Sequence, residues 1–344
     1  MSFAKVHLHL HLEGAVRFAT LMELLPESAK VSGDLVADTK RHFCCAERES
    51  TAFDLVAFIA KFRATQRLLA SAAVIERVAF ECVVDQARDG VVLLEIRYSP
   101  AFIRAARDAE PLLSFDEIHA AVLRGVGRAQ AQTGVEVGLI AILDRMASDA
   151  EAAQVMDFVL SKRADFVGVD LASDEVHGQH LFEREFARAR AAGLGVTIHS
   201  AEVRDAHSGQ RVIDAVLKQG ATRIGHGIHV LDNAAAVALC VERQIHFEVS
   251  VSSNVLTNAV ASVEQHPLPR MLAALASVGL NTDDPGLFLC DLESEVRLVK
   301  SKLGITDAQL HQMQLNACRA SFLPERVKAR VERILLRSFG QQGE

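Results

Sequence analysis

The sequence predicts an α/β protein: a single (β/α)8 barrel over residues 1–344, with additional helices after the first strand. Three observations carry that prediction. Short runs rich in Val, Ile and Leu alternate with longer stretches of helical character, the pattern of parallel strands covered by crossover helices. Eight such runs are present, the number a closed barrel requires. No GxGxxG follows the first run, so a doubly wound dinucleotide-binding sheet, which also alternates β and α, lacks its signature.

Taken in order, the expected strands are Val6 to Leu12, Val91 to Tyr98, Val135 to Leu143, Phe166 to Leu171, Val196 to Ser200, Arg223 to His226, His246 to Val251 and Leu280 to Thr282. Between them, stretches such as Ser71 to Arg88 and Phe182 to Ala192 place Ala, Leu, Val and Phe among Arg, Glu and Asp at helical spacing, which suits an outer ring. The piece from Arg17 to Gln66 has no strand candidate and exceeds an ordinary βα loop, so extra helices above the first strand are expected there, placed to act as a lid. The chain shows no internal repeat or low-complexity linker, and its seven prolines are scattered, as in one domain.

Composition excludes several functions. A net charge of −7 and a pI near 6.1 provide no basic field for a polyanion, so a small-molecule ligand is expected and a nucleic acid is not. No apolar run approaches the roughly 20 residues of a membrane span, and no leader precedes the first motif, which points to a cytoplasmic protein. Cys44, Cys45, Cys82, Cys240, Cys290 and Cys318 lack CxxC spacing, and two are adjacent, so reduced, mostly buried thiols are expected. No protein partner is implied.

The chemistry concentrates at strand ends. In Val6-His7-Leu8-His9-Leu10-His11-Leu12-Glu13-Gly14, alternate residues share a face, so His7, His9 and His11 are expected on one side and the leucines under the helices. Two histidines at i and i+2 near a strand's carboxyl end can share a metal, and Gly14 marks where the chain leaves the strand. A His-x-His pair is weak by itself. Further ligands stand at other strand ends: His199 closes Val-Thr-Ile-His, and Asp283 and Asp284 close Leu280-Asn281-Thr282. The set His9, His11, His199 and Asp283 suits Zn²⁺ or Fe²⁺ better than Mg²⁺ or Ca²⁺. Glu202, three residues beyond His199, and His226, flanked by glycines expected to leave room for a substrate, add an acid and a proton-managing histidine. Together they make a hydrolytic set.

With those residues assembled, the chain resembles the adenosine deaminases, within the wider amidohydrolase group of metal-dependent barrels. The likeness runs from Lys5 almost to the C-terminus, through the first motif, Glu95-Ile96-Arg97-Tyr98-Ser99-Pro100, Asp170-Leu171-Ala172-Ser173-Asp174-Glu175, Arg223-Ile224-Gly225-His226-Gly227, Ser253-Asn254, His266-Pro267-Leu268, Asn281-Thr282-Asp283-Asp284-Pro285 and Ala320-Ser321-Phe322-Leu323. The resemblance implies one Zn²⁺ per chain on His9, His11, His199 and Asp283, whose water attacks purine C6. It implies Glu202 as the acid that protonates N1, His226 as the residue that orients and deprotonates the water, Asp283 as both ligand and catalytic group, and Asp284 as the partner of N7. His11, Glu13, Ser173 and Asp284 face the substrate in that reading. The reaction is coherent, because protonating N1 makes C6 electrophilic where the nucleophile is held.

Three departures lie close to the substrate. His199-Ser200-Ala201-Glu202 has a Cβ where the family's His-Ala-Gly-Glu has glycine, tolerable if the backbone there is not left-handed. Glu13 replaces the Asp that helps to hold the ribose 5′-hydroxyl. Ser173 replaces the glycine whose N–H meets purine N3, and its hydroxyl either clashes or adds a hydrogen bond. The implied function is purine salvage by deamination of adenosine and 2′-deoxyadenosine. Adenine, a 5′-modified adenosine, a catalytically silent purine-binding protein and another hydrolase of the same barrel class stay open as alternatives.

Overall fold

The computed structural model describes residues 3–25, 39, 40, 42–45, 55–105, 112–176 and 181–340. Eight parallel strands, β1 (Lys5–His11), β2 (Val91–Tyr98), β3 (Glu136–Asp144), β4 (Gly168–Ala172), β5 (Gly195–Ser200), β6 (Arg223–His226), β7 (His246–Val249) and β8 (Ser277–Leu280), lie in sequence order, each hydrogen-bonded to the next. This is the expected (β/α)8 barrel.

The last strand is a correction. It occupies Ser277–Leu280, where the sequence reading placed Leu280 to Thr282. The polar residues beyond Leu280 close the barrel by other means. Asn281 Oδ1 accepts from the N–H groups of Leu8 and His9, at 2.9 and 3.0 Å, in place of a backbone carbonyl. Asp283 then pairs its backbone with β1, donating to His9 O and accepting from His11 N–H.

The helices are α1 (Phe18–Leu24), α2 (Leu55–Leu68), α3 (Ala72–Arg88), α4 (Pro100–Ala105), α5 (Phe115–Thr133), α6 (Asp149–Ser161), α7 (Glu183–Ala191), α8 (Ser208–Asp214), α9 (Ala234–Glu242), α10 (Val251–Leu256), α11 (Leu268–Ala274), α12 (Pro285–Phe288), α13 (Leu292–Leu303), α14 (Asp307–Ala320) and α15 (Glu325–Gly340). Several starts are legible in the sequence: Ser114, Ser148, Asp291 and Thr306 each form a capping box with the residue three on. The extra helices after β1 include α1 and α2. The remainder of the Arg17 to Gln66 segment, residues 26–38, 41 and 46–54, lies outside the described residues.

The alternation within strands sorts two interiors. In β2, Leu94 and Ile96 join the apolar layer between barrel and helices, while Glu95 and Arg97 turn inward and are fully buried. Val6, Leu8 and Leu93 instead meet Cys318, Val331 and Leu335 of the last two helices in a second apolar cluster. No described helix is long and apolar enough to cross a membrane. Five of the six cysteines, Cys44, Cys45, Cys82, Cys240 and Cys318, are buried.

Candidate active site

His9 and His11, at i and i+2 of β1, put their imidazoles beside His199 at the end of β5 and Asp283 just beyond β8. One ligand atom from each of the four lies within 4.8 Å of all the others, and all four residues are buried. His9 Nε2 is 3.1 Å and His11 Nε2 3.2 Å from Asp283 Oδ1, and the Nε2 atoms of His11 and His199 are 3.2 Å apart.

The surroundings set which nitrogens carry protons. His9 Nδ1 donates to Glu248 at 2.8 Å and His199 Nδ1 to Asp170 at 3.1 Å, which leaves the Nε2 lone pairs of both rings turned toward Asp283. His9 Nε2 has no hydrogen-bond partner, and burial pulls His11 down to about 4, into its neutral ligand form. Lone pairs converging on a carboxylate in a dry interior repel one another unless a cation lies between them. The cluster therefore fits a metal ion, and its three imidazoles and one carboxylate match a borderline-soft divalent ion.

Beneath it runs a buried ionic network. Arg97 reaches Asp170 at 2.8 Å and Glu248 at 2.6 Å, and Arg223 reaches Glu248 and Glu95, each at 2.5 Å. Three carboxylates against two guanidiniums leave one negative charge under the histidines, which favours a cation above. Burial by itself would raise Glu248, but Arg97 and Arg223 outweigh it and hold its carboxyl well below the usual range. At the far end, Ser321 Oγ and Phe322 N–H donate to Glu95, and Arg223 lies 3.8 Å over the Phe322 ring. That assigns a plugging role to the Ala320 to Leu323 motif.

Over the cluster opens a cavity. Glu202, His226, Asp284 and Ser173 line it with His11, His199 and Asp283, and α2 and α4 roof it with Phe58, Ile59, Phe62 and Phe102. His226 Nε2 is 3.6 Å from Glu202 Oε2 and 3.9 Å from Asp283 Oδ2. Burial, then the charges of Asp283 and Glu175, push the Glu202 carboxyl well above its ordinary range, the direction a general acid requires. Burial likewise keeps His226 well below its ordinary value and neutral.

His7, which was not among the expected ligands, ties β1 to its neighbours: Thr282 N–H donates to its Nε2 and its Nδ1 donates to Gln86 of α3. Other sequence expectations resolve differently. The glycines flanking His226 do not open space for substrate. A Cβ on Gly225 would come 3.0 Å from His9 Cε1, and one on Gly227 would meet the Phe247 ring, so both make room for packed rings. Ala201 is left-handed, with φ at +54°, so the condition for tolerating its Cβ is not met. Glu175 holds that backbone, accepting from the N–H groups of Ala201 and Val203 at 2.7 and 2.5 Å. Ser173 is also left-handed, at +88°, and its hydroxyl bonds Asp144. Glu13 is fully buried, and its Oε1 accepts from Ser99 N–H.

Residues that the sequence reading gave no role are Glu248, Arg97 and Arg223, each a charge inside an apolar strand, and Asn254, His266 and Ser253. Ser253 Oγ donates to Asp283 Oδ2 at 2.8 Å. Gln66 of α2 also lines the cavity, nearly fully buried, and its Nε2 finds no acceptor among the described residues.

The profile of the family described as adenosine deaminase matches residues 4–336. Adenosine deaminases of Klebsiella pneumoniae and Shewanella denitrificans are 34% and 32% identical, over 324 and 326 residues, covering 94% of this chain and 94% and 96% of theirs. Among solved structures at 25% identity, an adenine deaminase from Arthrobacter aurescens superposes with a TM-score of 0.85 (98% of this chain, 99% of that one). An amidohydrolase from Burkholderia ambifaria with bound Zn gives 0.86 (99% and 92%), and an Arabidopsis N6-mAMP deaminase 0.83 (98% and 98%).

Proposed function

The chain belongs to the adenosine deaminase family, and on that premise we propose that it hydrolyses the 6-amino group of adenosine and 2′-deoxyadenosine, releasing ammonia in purine salvage. The observation that supports the reading is the Glu202 carboxyl 3.6 Å from His226 Nε2 in the cavity that opens over the His9, His11, His199 and Asp283 cluster. Those four residues would hold one Zn²⁺, which when bound acidifies the attacking water. Glu202 gives its proton to purine N1 and draws electron density from C6. His226 orients the water, Asp284 meets N7, and the ceiling of Phe58, Phe62 and Phe102 excludes solvent from the ring.

A nucleoside is favoured over free adenine by Gln66. Its buried, unpartnered amide lines the same cavity as Glu202 and offers a donor to a sugar hydroxyl.

The test is ammonia release by metal-loaded protein from adenosine, deoxyadenosine, adenine and 5′-modified adenosines. Turnover of none of them overturns the proposal, and turnover of adenine alone overturns the nucleoside part. Glu202→Gln is expected to keep its metal and lose roughly 10²- to 10⁴-fold in kcat. His199→Ala is expected to lose the metal, and unchanged metal content would remove the ligand assignment.

A further inference from the structure

Behind His226 a chain of buried hydrogen bonds runs in one direction. Leu268 N–H donates to His266 Nδ1 at 3.1 Å. A backbone N–H can only donate, so that ring nitrogen is unprotonated. Burial pulls His266 down to about 3, so the ring is neutral and its single proton is on Nε2. That Nε2–H donates to Asn254 Oδ1 at 3.2 Å, which fixes the amide's orientation. The Asn254 Nδ2 group then donates to His226 Nδ1 at 3.1 Å. His226 Nδ1 is thereby an acceptor, so the ring carries its proton on Nε2, facing Glu202 and Asp283.

We propose that Asn254 and His266 are positioning residues whose relay locks His226 in the Nε2–H tautomer, so that His226 meets the attacking oxygen as a hydrogen-bond donor and does not take its proton. The sequence resemblance implied a base at this position, and the relay reverses that role. Proton balance is kept within the site. Glu202, once it has given its proton to the ring nitrogen, is a free carboxylate 3.6 Å from His226 and takes the proton released by the water. The same short helix, α10, carries Asn254 and Ser253, so the piece that sets the tautomer also braces the ligand Asp283.

The catalytic consequence rests on the deaminase reading above; the tautomer does not, and the experiment separates them. Protein labelled with ¹⁵N-histidine is examined by NMR with and without Zn²⁺, the His226 signals being those lost in His226→Gln. Nδ1 is expected in the unprotonated range and Nε2 in the protonated range, and the reverse overturns the proposal without any further variant. Asn254→Asp presents an acceptor where the amide had a donor, so it should exchange the two signatures. It should also lower kcat roughly 100-fold, with KM and metal content little changed. His266→Phe frees the Asn254 amide to turn over, and mixed signatures with a smaller kcat loss are expected. An Asn254→Asp protein whose tautomer stays as in the parent, or one whose tautomer switches while kcat holds, refutes the relay. If the parent deaminates no purine, the proposed function fails while the NMR result still decides the tautomer.

Discussion

Glu248→Gln tests whether the buried network, and not the ligands alone, builds the metal cluster. The two Glu248 oxygens accept four hydrogen bonds: Oε2 from His9 Nδ1 at 2.8 Å and Arg97 Nη2 at 2.6 Å, Oε1 from Arg223 Nε at 2.5 Å and Thr197 Oγ1 at 3.0 Å. Glutamine keeps the shape but has one oxygen. Its NH₂ must face two donors whichever way it turns, and both guanidiniums lose part of their countercharge. Breaking a buried pair costs about 3–5 kcal/mol. Arg97 keeps Asp170 and Arg223 keeps Glu95, so the lower end, about 3 kcal/mol, is expected. With the NH₂ in the Oε2 place His9 also loses the acceptor that fixes its tautomer, and with it in the Oε1 place the Arg223 countercharge beneath the cluster is weakened; metal binding should fall by about 10- to 100-fold. Urea unfolding in the presence of a chelator measures the first effect, and Zn²⁺ competition against a chromogenic chelator measures the second. Thr197→Val, which removes one neutral donor, serves as the control at about 1 kcal/mol. A Glu248→Gln protein within about 1 kcal/mol of the parent and with parental zinc affinity would refute the argument that this carboxylate organises the cluster.

Two other positions can be read out by stability. At Ala201, φ of +54° costs the Cβ about 1–2 kcal/mol, which glycine avoids at about 0.5–1 kcal/mol of extra chain entropy. Ala201→Gly should therefore leave the urea midpoint within about 1 kcal/mol of the parent, while β-branched Ala201→Val should lose about 2 kcal/mol or more. Equal behaviour of the two would show that the left-handed backbone is not what constrains this site. Glu295, fully buried, accepts from the N–H groups of Val251 and Ser252 at the start of α10, and burial raises its carboxyl to about 7. A raised folded value means stability is fully present below the ordinary 4.5 and lost as pH climbs through 7, by up to about 3 kcal/mol. Glu295→Gln keeps an acceptor and removes the charge, so denaturation midpoints at pH 5 and pH 8 should converge relative to the parent. An unchanged difference between the two pH values would exclude Glu295 as its source.

How much of this was legible in the sequence depends on whether a residue's role is local. Seven strands and the capped helices were readable because alternation, apolar runs and Ser/Thr/Asp caps act within a few residues. The eighth strand was misplaced because Asn281 and Asp283 look like a continuing strand end but pair with β1 through a side chain and an isolated bridge. His9, His11, His199 and Asp283 were readable as a possible metal cluster because all four stand at or just past strand ends. His7, which shares their period, was drawn elsewhere by Gln86, a contact 79 residues away that spacing cannot show. Glu248 and Arg97 carried a readable signal, charge within an apolar strand, but their partners lie on other strands. The relay through Asn254 and His266 had no signal beyond the motif itself, because its direction is fixed by the Leu268 backbone N–H.

The backbone at the barrel rim explains why the departures from the family pattern fall where they do. In an extended strand consecutive side chains face opposite sides, yet Ala172 and Ser173 both line the cavity, as do Asp283 and Asp284. The alternation is broken by left-handed residues: φ is +88° at Ser173, +54° at Ala201, +60° at His226 and +67° at Asp283. Each costs of order 1–3 kcal/mol and persists only where neighbours over-determine it. At Asp283 the two backbone bonds to β1 do so, and at Ala201 the grip of Glu175. Glycine would relieve the strain at 173 and 201, but this chain places side chains there. At 201 the methyl is fully buried and leaves Glu202 facing the cavity, so the acid survives the substitution. At 173 the hydroxyl is taken by Asp144, which makes a polar pair of the rim of β3 and β4 at the cavity. The strain is therefore shared by the whole rim, at the ends of β4, β5, β6 and β8.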